Sequence, residues 1–223
     1  MKIVVLKFGG TSVGTIKKIK KVADIISKYV KKKFKVIVIT SAMSGVTNDL
    51  VRKSKEISKK TLYTGVKLRF CEFPIFENSM LAGLKHLNRI DSVMARSEWE
   101  EDEFFDGVML DNSESIIDGT MTNLFFSKNN VLYTPIIKKS GINGIMRQVV
   151  IDNAKLFFRE ICEIEIKKKT VSTFDEMFVT NSVIKILPVT HLSNQKFKIT
   201  NATREMINFF LKRSKRSKNL ELV

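Results

Sequence analysis

The chain has 223 residues, of which 43% are hydrophobic and 28% are charged, and its formal net charge is +16. This composition is typical of a globular protein, and no run approaches the roughly 18 apolar residues of a membrane-spanning helix or forms a signal peptide. Two cysteines and two histidines without CxxC spacing exclude a disulfide framework and a zinc site made from these residues. We therefore expect a cytoplasmic protein that binds no metal and does not associate with a membrane.

The positive charge is concentrated at the two ends of the chain. Residues 1–60 carry 16 basic against 3 acidic residues, residues 61–211 have a net charge of −1, and the last twelve residues have +4. So sharp a break predicts two segments of different origin, at 1–60 and 61–213, followed by a basic tail at 214–223. Because lysine supplies nearly all of the excess, a solvated helix face is favoured over nucleic-acid binding.

The first segment has a βαβα pattern. Residues 3–6 form a β-branched run without alternation, which is typical of a strand covered on both faces, and residues 36–40 predict a second buried strand. Apolar residues spaced by three and four predict a helix over 15–31, and a further helix is expected to carry Leu50, Val51 and Ile57.

Two glycine-bearing loops follow the predicted strands of this segment. A parallel sheet binds ligands at such positions, where backbone N–H groups and a helix N-terminus can hold an anion beside Lys7. A Gly-Gly turn also occurs for purely structural reasons. The loop sequences, KFGGTS at 7–12 and SAMSGVTN at 41–48, resemble the opening of an aspartate kinase of the amino-acid kinase family.

That resemblance implies a phosphate site and an aspartate site. The residues that it assigns to them are Lys7, Gly9, Gly10, Ser12, Ser41 and Thr47. The resemblance ends near residue 60, before the nucleotide-binding half of such a kinase. Phosphoryl transfer needs the phosphates to be held from several sides, so we expect no transfer from half a site.

From residue 61 onward the pattern predicts an α+β segment. Strands are predicted at 66–70, 105–110, 124–126, 131–133, 178–179 and 184–189, with a hairpin turn at Asn129 and Asn130. Helices are predicted over 145–161 and 202–212. The first of them follows the sequence GING at 141–144, and its N-terminus is a place where a phosphate can bind.

Lys85 lies in the most informative stretch, LAGLKHLNR at 81–89. By itself, a lysine among apolar residues is usually a surface residue. The stretch, however, resembles the lysine motif of aminodeoxychorismate lyases, which are fold-type IV pyridoxal-phosphate enzymes of the class IV aminotransferase superfamily. Further motifs follow in that family's order: FDGVMLD (105–111), DGTMTNLF (118–125), YTP (133–135), GINGIMRQ (141–148) and DEMFVTNS (175–182). Within the superfamily, KHLNR favours the lyase over the branched-chain and D-amino-acid transaminases.

The resemblance covers about residues 62–212 and implies pyridoxal 5'-phosphate as the cofactor. Lys85 would form the Schiff base and later act as the base, and Asp118 would face the pyridine nitrogen. The phosphate would be held by Gly144, Ile145, Met146 and Ser182, and the ring hydroxyl would be approached by Asn88 or Arg89. Ser182 also fits an ordinary strand-end serine, and Asn123, Arg147 and Gln148 fit a supporting role equally well.

The implied reaction converts 4-amino-4-deoxychorismate, a small-molecule substrate, to 4-aminobenzoate and pyruvate in folate biosynthesis. Two departures from the family predict low activity. Asp118 stands where the family usually has glutamate, and a displacement of about one C–C bond length can cost on the order of a hundredfold in rate. The family's N-terminal domain, which supplies an arginine to the phosphate, part of the substrate pocket and much of the dimer contact, is expected to be absent.

Three interpretations remain open at this point: a lyase-like enzyme of low activity, a fragment of an aspartate kinase, and a fusion product without catalysis. A homodimer is left open as well. We expect an α/β piece joined to an α+β pyridoxal-phosphate domain, with few contacts across residue 60. We also expect Lys85, Asp118, Ser182 and the turn at 144–146 to converge on one cleft.

Overall fold

A computed structural model of the chain describes residues 3–8, 16–40, 59–100 and 103–218. The chain divides into two compact units, Met1–Glu56 and Ile57–Val223. Within the described ranges, no helix has the length and apolar character to cross a membrane.

The first unit contains a parallel pair of strands and one helix. Strand β1 (Ile3–Phe8) pairs with β2 (Lys35–Thr40), with Ile3 opposite Lys35, and helix α1 (Ile16–Lys31) lies between them in sequence. These bounds agree with the two strands and the first helix predicted from the sequence. The predicted second helix lies outside the described residues, and so do Gly9, Gly10, Ser12, Ser41 and Thr47.

The predicted burial of these two strands is wrong. Ile3 and Val5 are 61% and 57% exposed, and Ile37 is 46% exposed. Along β1, exposed and half-buried residues alternate, which is the pattern of a strand covered on one face. In the described part of this unit, α1 is the one helix available to cover a two-stranded sheet. The apolar run is therefore not buried on both sides as it would be within a larger parallel sheet.

The second unit consists of strands, short helices and one longer helix. Its helices are α2 (Lys59–Thr64), α3 (Ile90–Arg96), α4 (Ile145–Asn153) and α5 (Asn201–Lys218). Its strands are β3 (Val66–Phe70), β4 (Asp106–Leu110), β5 (Ser115–Gly119), β6 (Asn123–Lys128), β7 (Val131–Pro135), β8 (Glu160–Ile164), β9 (Ile166–Lys167), β10 (Glu176–Asn181), β11 (Lys185–Leu192) and β12 (Gln195–Lys196).

The strands of this unit form one mixed sheet in the order β8-β7-β6-β10-β11-β3-β4-β5-β9, with β12 paired to β11. Most pairs are antiparallel, while β11–β3, β3–β4 and β7–β8 are parallel. The β6–β7 hairpin turns at Asn129 and Asn130, whose φ angles of 50° and 61° are those of a type I′ turn. The predicted hairpin is therefore confirmed.

Alternating residues of the central strands fill two cores on opposite faces of the sheet. Phe125 and Phe178 stack at 5.0 Å between ring centroids and pack with Met146 and Val150 of α4. Their strand neighbours Leu124 and Val179 belong to the core on the other face, as the pleat of a strand requires. Helix α4 is thus anchored on the face of β10 that carries Phe178. Thr180, two residues further along, lies on the same face.

The helix predicted over 145–161 is shorter than expected. Helix α4 ends at Asn153, a single 3-10 turn follows at Ala154–Leu156, and the chain then continues as β8. Ile161 pairs with Leu132 across the parallel β7–β8 ladder. Its apolar side chain fitted the helical spacing equally well, and a contact distant in sequence decides between the two.

Candidate functional site

Asp118 occupies a buried position in β5, with 2% of its surface exposed. Its Oδ2 atom accepts a hydrogen bond of 3.1 Å from the backbone N–H of Ile142. Its Oδ1 atom is buried and has no partner among the described residues. Asp118 therefore offers one free, desolvated acceptor, which suits a ligand that carries an N–H group.

Neighbouring groups shift the pKa of the Asp118 carboxyl in both directions. The pKa of Asp118 is raised to about 7, mainly by burial and to a smaller extent by the nearby Asp106 and Asp91 carboxylates. The Arg89 guanidinium and the Ile142 N–H lower the pKa. A carboxyl with a pKa this close to neutrality ionises readily when a cationic or N–H ligand pairs with it.

The turn at residues 141–144 is fitted closely against β5 and β6. Gly141 has φ +88°, and a Cβ atom there would lie 2.8 Å from Ile117 Cγ2. The carbonyl of Ile142 accepts a 2.7 Å hydrogen bond from Asn123 Nδ2. A Cβ atom on Gly144 would clash with Asn123 Oδ1, so glycine is required there for space. The turn can thus approach these strands only with glycine at both ends.

This turn leads into the N-terminus of α4, a helix of nine residues. Gly144 is the N-cap residue, no described side chain caps the helix by a hydrogen bond, and its first turn has no acidic residue. The N–H groups of Ile145 and Met146 therefore remain available to a ligand, and the positive end of the helix dipole favours an anion.

Arg147 supports the turn from within the protein. Its side chain is 3% exposed and donates to Asn143 Oδ1 at 3.1 Å and to the Pro135 carbonyl at 3.0 Å. It also forms an ion pair with Glu163. These partners occupy the guanidinium, so a supporting role fits Arg147 better than phosphate binding.

Thr180 is a site candidate that sequence reasoning missed. Its side chain is fully buried, and its Oγ1 atom has no hydrogen-bond partner in the described part of the chain. Thr180 pairs across the sheet with Asn123, which contacts the 141–144 turn. A lone threonine in an otherwise apolar strand core was the available signal.

Ser182 lies in the turn after β10, with an exposed side chain. Its carbonyl accepts a 2.8 Å hydrogen bond from Lys185 Nζ. The preceding Asn181 donates a 3.3 Å bond to the carbonyl of Met121. This contact connects the Ser182 turn with the loop that follows Asp118.

The loop carrying Lys85 docks on the 141–144 turn. Gly83 donates a 2.9 Å backbone bond to the Gly141 carbonyl, and its own carbonyl accepts a 3.0 Å bond from Asn143 N–H. Lys85 follows two residues later with an exposed side chain. Asn88 is exposed, and the half-buried Arg89 donates to Ser92 Oγ. The convergence of Lys85 on Asp118 itself stays a prediction.

Cavities in the described part of this unit differ in size and lining. One of about 130 Å³ is lined by Asn88, Arg89 and Gly141, and it also touches His86 and Ser140, whose Nδ1 and Oγ atoms are buried without described partners. Polar atoms of this kind suit ordered water. A larger cavity of about 960 Å³ lies where β3, β4 and β11 end, and none of the predicted site residues lines it.

Lys7 of the kinase-like set is exposed on β1. Among the residues that the structure describes, no group of three or more His, Cys, Asp or Glu side chains could hold a metal ion.

Known proteins are similar to the second unit in sequence and in structure. The model of the family "Amino-transferase class IV" matches residues 35–192. An aminodeoxychorismate lyase of Vibrio harveyi is 33% identical over 135 residues, which are 60% of this chain and 50% of that protein. The crystal structure of 4-amino-4-deoxychorismate lyase from Pseudomonas aeruginosa matches with a TM-score of 0.64 and 31% identity, over 66% of this chain and 55% of that one.

The start of the chain is similar to a different protein. An aspartokinase of Rickettsia felis is 52% identical over 58 residues, which are 26% of this chain and 14% of that protein. The chain spans about half the length of the curated lyase that it matches. The family match begins at residue 35, ahead of the residue 62 at which the motif resemblance begins.

Proposed function

We propose that this chain, which belongs to the amino-transferase class IV family, is a lyase that converts 4-amino-4-deoxychorismate to 4-aminobenzoate and pyruvate. Class IV aminotransferases and aminodeoxychorismate lyases depend on pyridoxal phosphate. One observation carries the proposal. Asp118 accepts a hydrogen bond through one carboxylate oxygen from the turn that leads into the uncapped N-terminus of α4, and its other oxygen has no described partner. An acceptor and an anion site in fixed relation are what a pyridine nitrogen and a phosphate on one small molecule require.

The residues present fit this cofactor. Asp118 Oδ1 would accept from the pyridine N–H, and the N–H groups of Ile145 and Met146 would donate to the phosphate. The unpartnered hydroxyl of Thr180 and the exposed hydroxyl of Ser182 are further donors for that end. Arg89 would approach the ring hydroxyl, since it already lies within electrostatic range of Asp118.

Pyridoxal phosphate, when bound, supplies an electron sink next to the substrate's amine-bearing carbon. Lys85 would provide the amine that holds the cofactor's aldehyde and, once free, would take the proton from that ring carbon. The ring C–O bond to the enolpyruvyl group would break, and the proton held by Lys85 would pass to the departing enolpyruvyl carbon, so that pyruvate leaves and the ring becomes aromatic. Asp118 in its ionised form would keep the pyridine nitrogen protonated.

We further propose that the 223-residue chain by itself turns over slowly. Asp118 is one methylene shorter than the glutamate usual in the family, which displaces the carboxylate or the cofactor. The matched region is 50% and 55% of the two lyases named above, and the resemblance implies that the remaining part supplies a phosphate arginine and part of the substrate pocket. A fusion product without catalysis is the limiting case of this proposal.

For the first unit we propose an origin in an aspartokinase-like sequence, without kinase activity in this chain. The support is the 52% identity over 58 residues, and the limit is the 14% of the aspartokinase that it covers. Lys7, exposed on β1, is the one assigned phosphate residue that the structure describes. Phosphoryl transfer needs groups on several sides of the phosphates.

The test is a titration of pyridoxal phosphate into the wild-type chain, Lys85→Ala, and a matched control, Lys155→Ala, which removes an exposed lysine just beyond the C-terminal end of α4. The absorbance of lysine-bound cofactor should develop in the wild type and the control and be absent in Lys85→Ala. Release of 4-aminobenzoate and pyruvate should be slow but should depend on Lys85. Equal spectra for all three proteins would contradict the site, and amino transfer to a keto acid without 4-aminobenzoate would contradict the lyase assignment.

A further inference from the structure

Among the described residues of the second unit, Asp106 is the most completely buried carboxylate that sequence reasoning left without a role. It begins β4 with 0% exposure, and both of its oxygens are occupied. The groups that donate to it are the N–H of Gly107 (2.8 Å), the N–H and hydroxyl of Thr120 (3.1 and 2.6 Å), the N–H of Met121 (3.4 Å) and the hydroxyl of Thr122 (2.6 Å). All five are neutral donors. Four of them come from the turn at residues 120–122.

The turn itself closes tightly around this carboxylate. Gly119 donates a 2.7 Å backbone bond to the Thr122 carbonyl, and Thr120 donates one of 3.0 Å to the Gly107 carbonyl. A Cβ atom on Gly119 would clash with both Asp106 Oδ2 and Thr122 Oγ1. The carboxylate thus fills the inside of the turn, leaving room only for glycine.

The turn connects two residues of the candidate site. Asp118 precedes it directly and bonds the Ile142 N–H, while Asn123 follows it directly and bonds the Ile142 carbonyl. The separation of these two side chains is therefore set by the shape of the turn. That separation also sets where the N-terminus of α4 stands relative to the Asp118 carboxylate.

We propose that Asp106 is a positioning residue, whose carboxylate holds the 119–122 turn and thereby fixes Asp118 and Asn123 in the relation that binds both ends of pyridoxal phosphate. This role rests on the proposed function, and it adds a residue that touches neither the cofactor nor the substrate. Asp106 acts through the hydroxyl and N–H groups of residues 120–122 that donate to it.

Asp106 also acts on Asp118 through its charge. Burial raises the pKa of Asp106, while the hydroxyls of Thr120 and Thr122 and the N–H groups of Gly107 and Met121 lower it. The Asp106 charge in turn raises the pKa of Asp118. Replacing Asp106 by asparagine should therefore lower the pKa of Asp118 while it disturbs the turn.

The experiment compares Asp106→Asn with Glu176→Gln in the full chain. Glu176 is a matched control, because it is 2% exposed and accepts from Ser127 Oγ (2.9 Å) and from the Thr200 N–H, at the end of β10 away from Thr180. Three quantities are measured: the melting temperature, the dissociation constant of pyridoxal phosphate, and the pH titration of the Ile142 amide signal without cofactor. Thr122→Val and Thr122→Ser form a second pair, which tests the hold of Asp106 on the turn if Asp106→Asn fails to fold.

We expect both carboxamide variants to melt at lower temperature. Only Asp106→Asn should weaken pyridoxal phosphate binding, by at least tenfold, and move the midpoint of the Ile142 titration to lower pH. Thr122→Val should weaken binding severalfold, and Thr122→Ser should restore it. Equal cofactor affinity in wild type, Asp106→Asn and Thr122→Val would overturn the proposal while leaving the function intact. If the wild type itself binds no cofactor, the proposed function fails. The positioning role then stands if the Ile142 amide signal moves in Thr122→Val, which keeps the Asp106 charge, and falls if that signal does not move.

Discussion

Asp118 and Asn123 both form hydrogen bonds with the backbone of Ile142: the carboxylate accepts from its N–H at 3.1 Å, and the amide donates to its carbonyl at 2.7 Å. The two residues stand at the two ends of the 119–122 turn, and Ile142 belongs to the turn that opens α4. The proposed acceptor for a ring nitrogen and the helix N-terminus proposed to bind a phosphate are therefore parts of one hydrogen-bonded unit. Changes at either end should affect binding at both.

The first prediction concerns pH and Asp118. Burial raises its folded-state pKa from 3.8 to about 7, so the folded protein binds this proton more tightly than the unfolded chain does. The stability that this proton contributes is fully present below pH 4 and is lost as the pH rises to about 7. Asp118→Asn, which mimics the protonated form, should melt a few degrees higher than the wild type above pH 7 and at about the same temperature near pH 4.

Calorimetry of the cofactor-free proteins between pH 4 and 8 measures this difference. Asp152→Asn is the control, since it removes an exposed carboxylate on α4. A constant difference between wild type and Asp118→Asn over the whole range would show that the charge of Asp118 does not carry the effect.

The second prediction concerns the length of the same side chain. Asp118→Glu should bind pyridoxal phosphate up to about tenfold more tightly, because the additional methylene restores the reach of the carboxylate that the family usually has. Asp118→Asn should bind more weakly than the wild type. Tighter binding by aspartate than by glutamate would mean that the cofactor site has adjusted to the shorter residue.

The sequence could predict features that depend on neighbouring residues, but not features that depend on contacts distant in sequence. The Asn129-Asn130 hairpin was predictable because two residues at positive φ determine it. The end of α4 was not, because Ile161 joins Leu132 in a ladder that no local pattern announces. The burial of β1 was overestimated for the same reason, since an apolar run does not say what will cover it.

The candidate site divides in the same way. Resemblance supplied Lys85, Asp118 and the 144–146 turn, because those positions carry motif residues. Asp106 and Thr180 gained their roles only from the structure, where Asp106 meets the 120–122 turn and Thr180 pairs with Asn123. A buried acid or hydroxyl in an apolar strand indicates that some polar partner or ligand is near it, but not which one.

The third prediction concerns the phosphate end. Gly144→Ala introduces a Cβ atom that would clash with Asn123 Oδ1, so either the turn or the Asn123 side chain that binds Ile142 must move. Overpacking of this kind costs about 1–3 kcal/mol of stability. It should also displace the N–H groups of Ile145 and Met146 and weaken pyridoxal phosphate by at least tenfold. Pyridoxal, which lacks the phosphate, serves as the control ligand and should lose much less affinity. Equal losses for the two ligands would place the phosphate elsewhere.

The fourth prediction separates binding from stability at Thr180. Its buried Oγ1 atom has no described partner, and such a hydroxyl costs about 1–3 kcal/mol of desolvation, so the isosteric Thr180→Val should stabilise the cofactor-free protein. If Thr180 donates to the phosphate, the same variant should bind pyridoxal phosphate several times more weakly. Thr203→Val is the matched control: Thr203 is 1% exposed in α5 and its Oγ1 is likewise unpartnered among the described residues. That control should raise the melting temperature without changing cofactor affinity. Identical behaviour of the two variants in both measurements would show that Thr180 is a buried hydroxyl of the core and no part of the site.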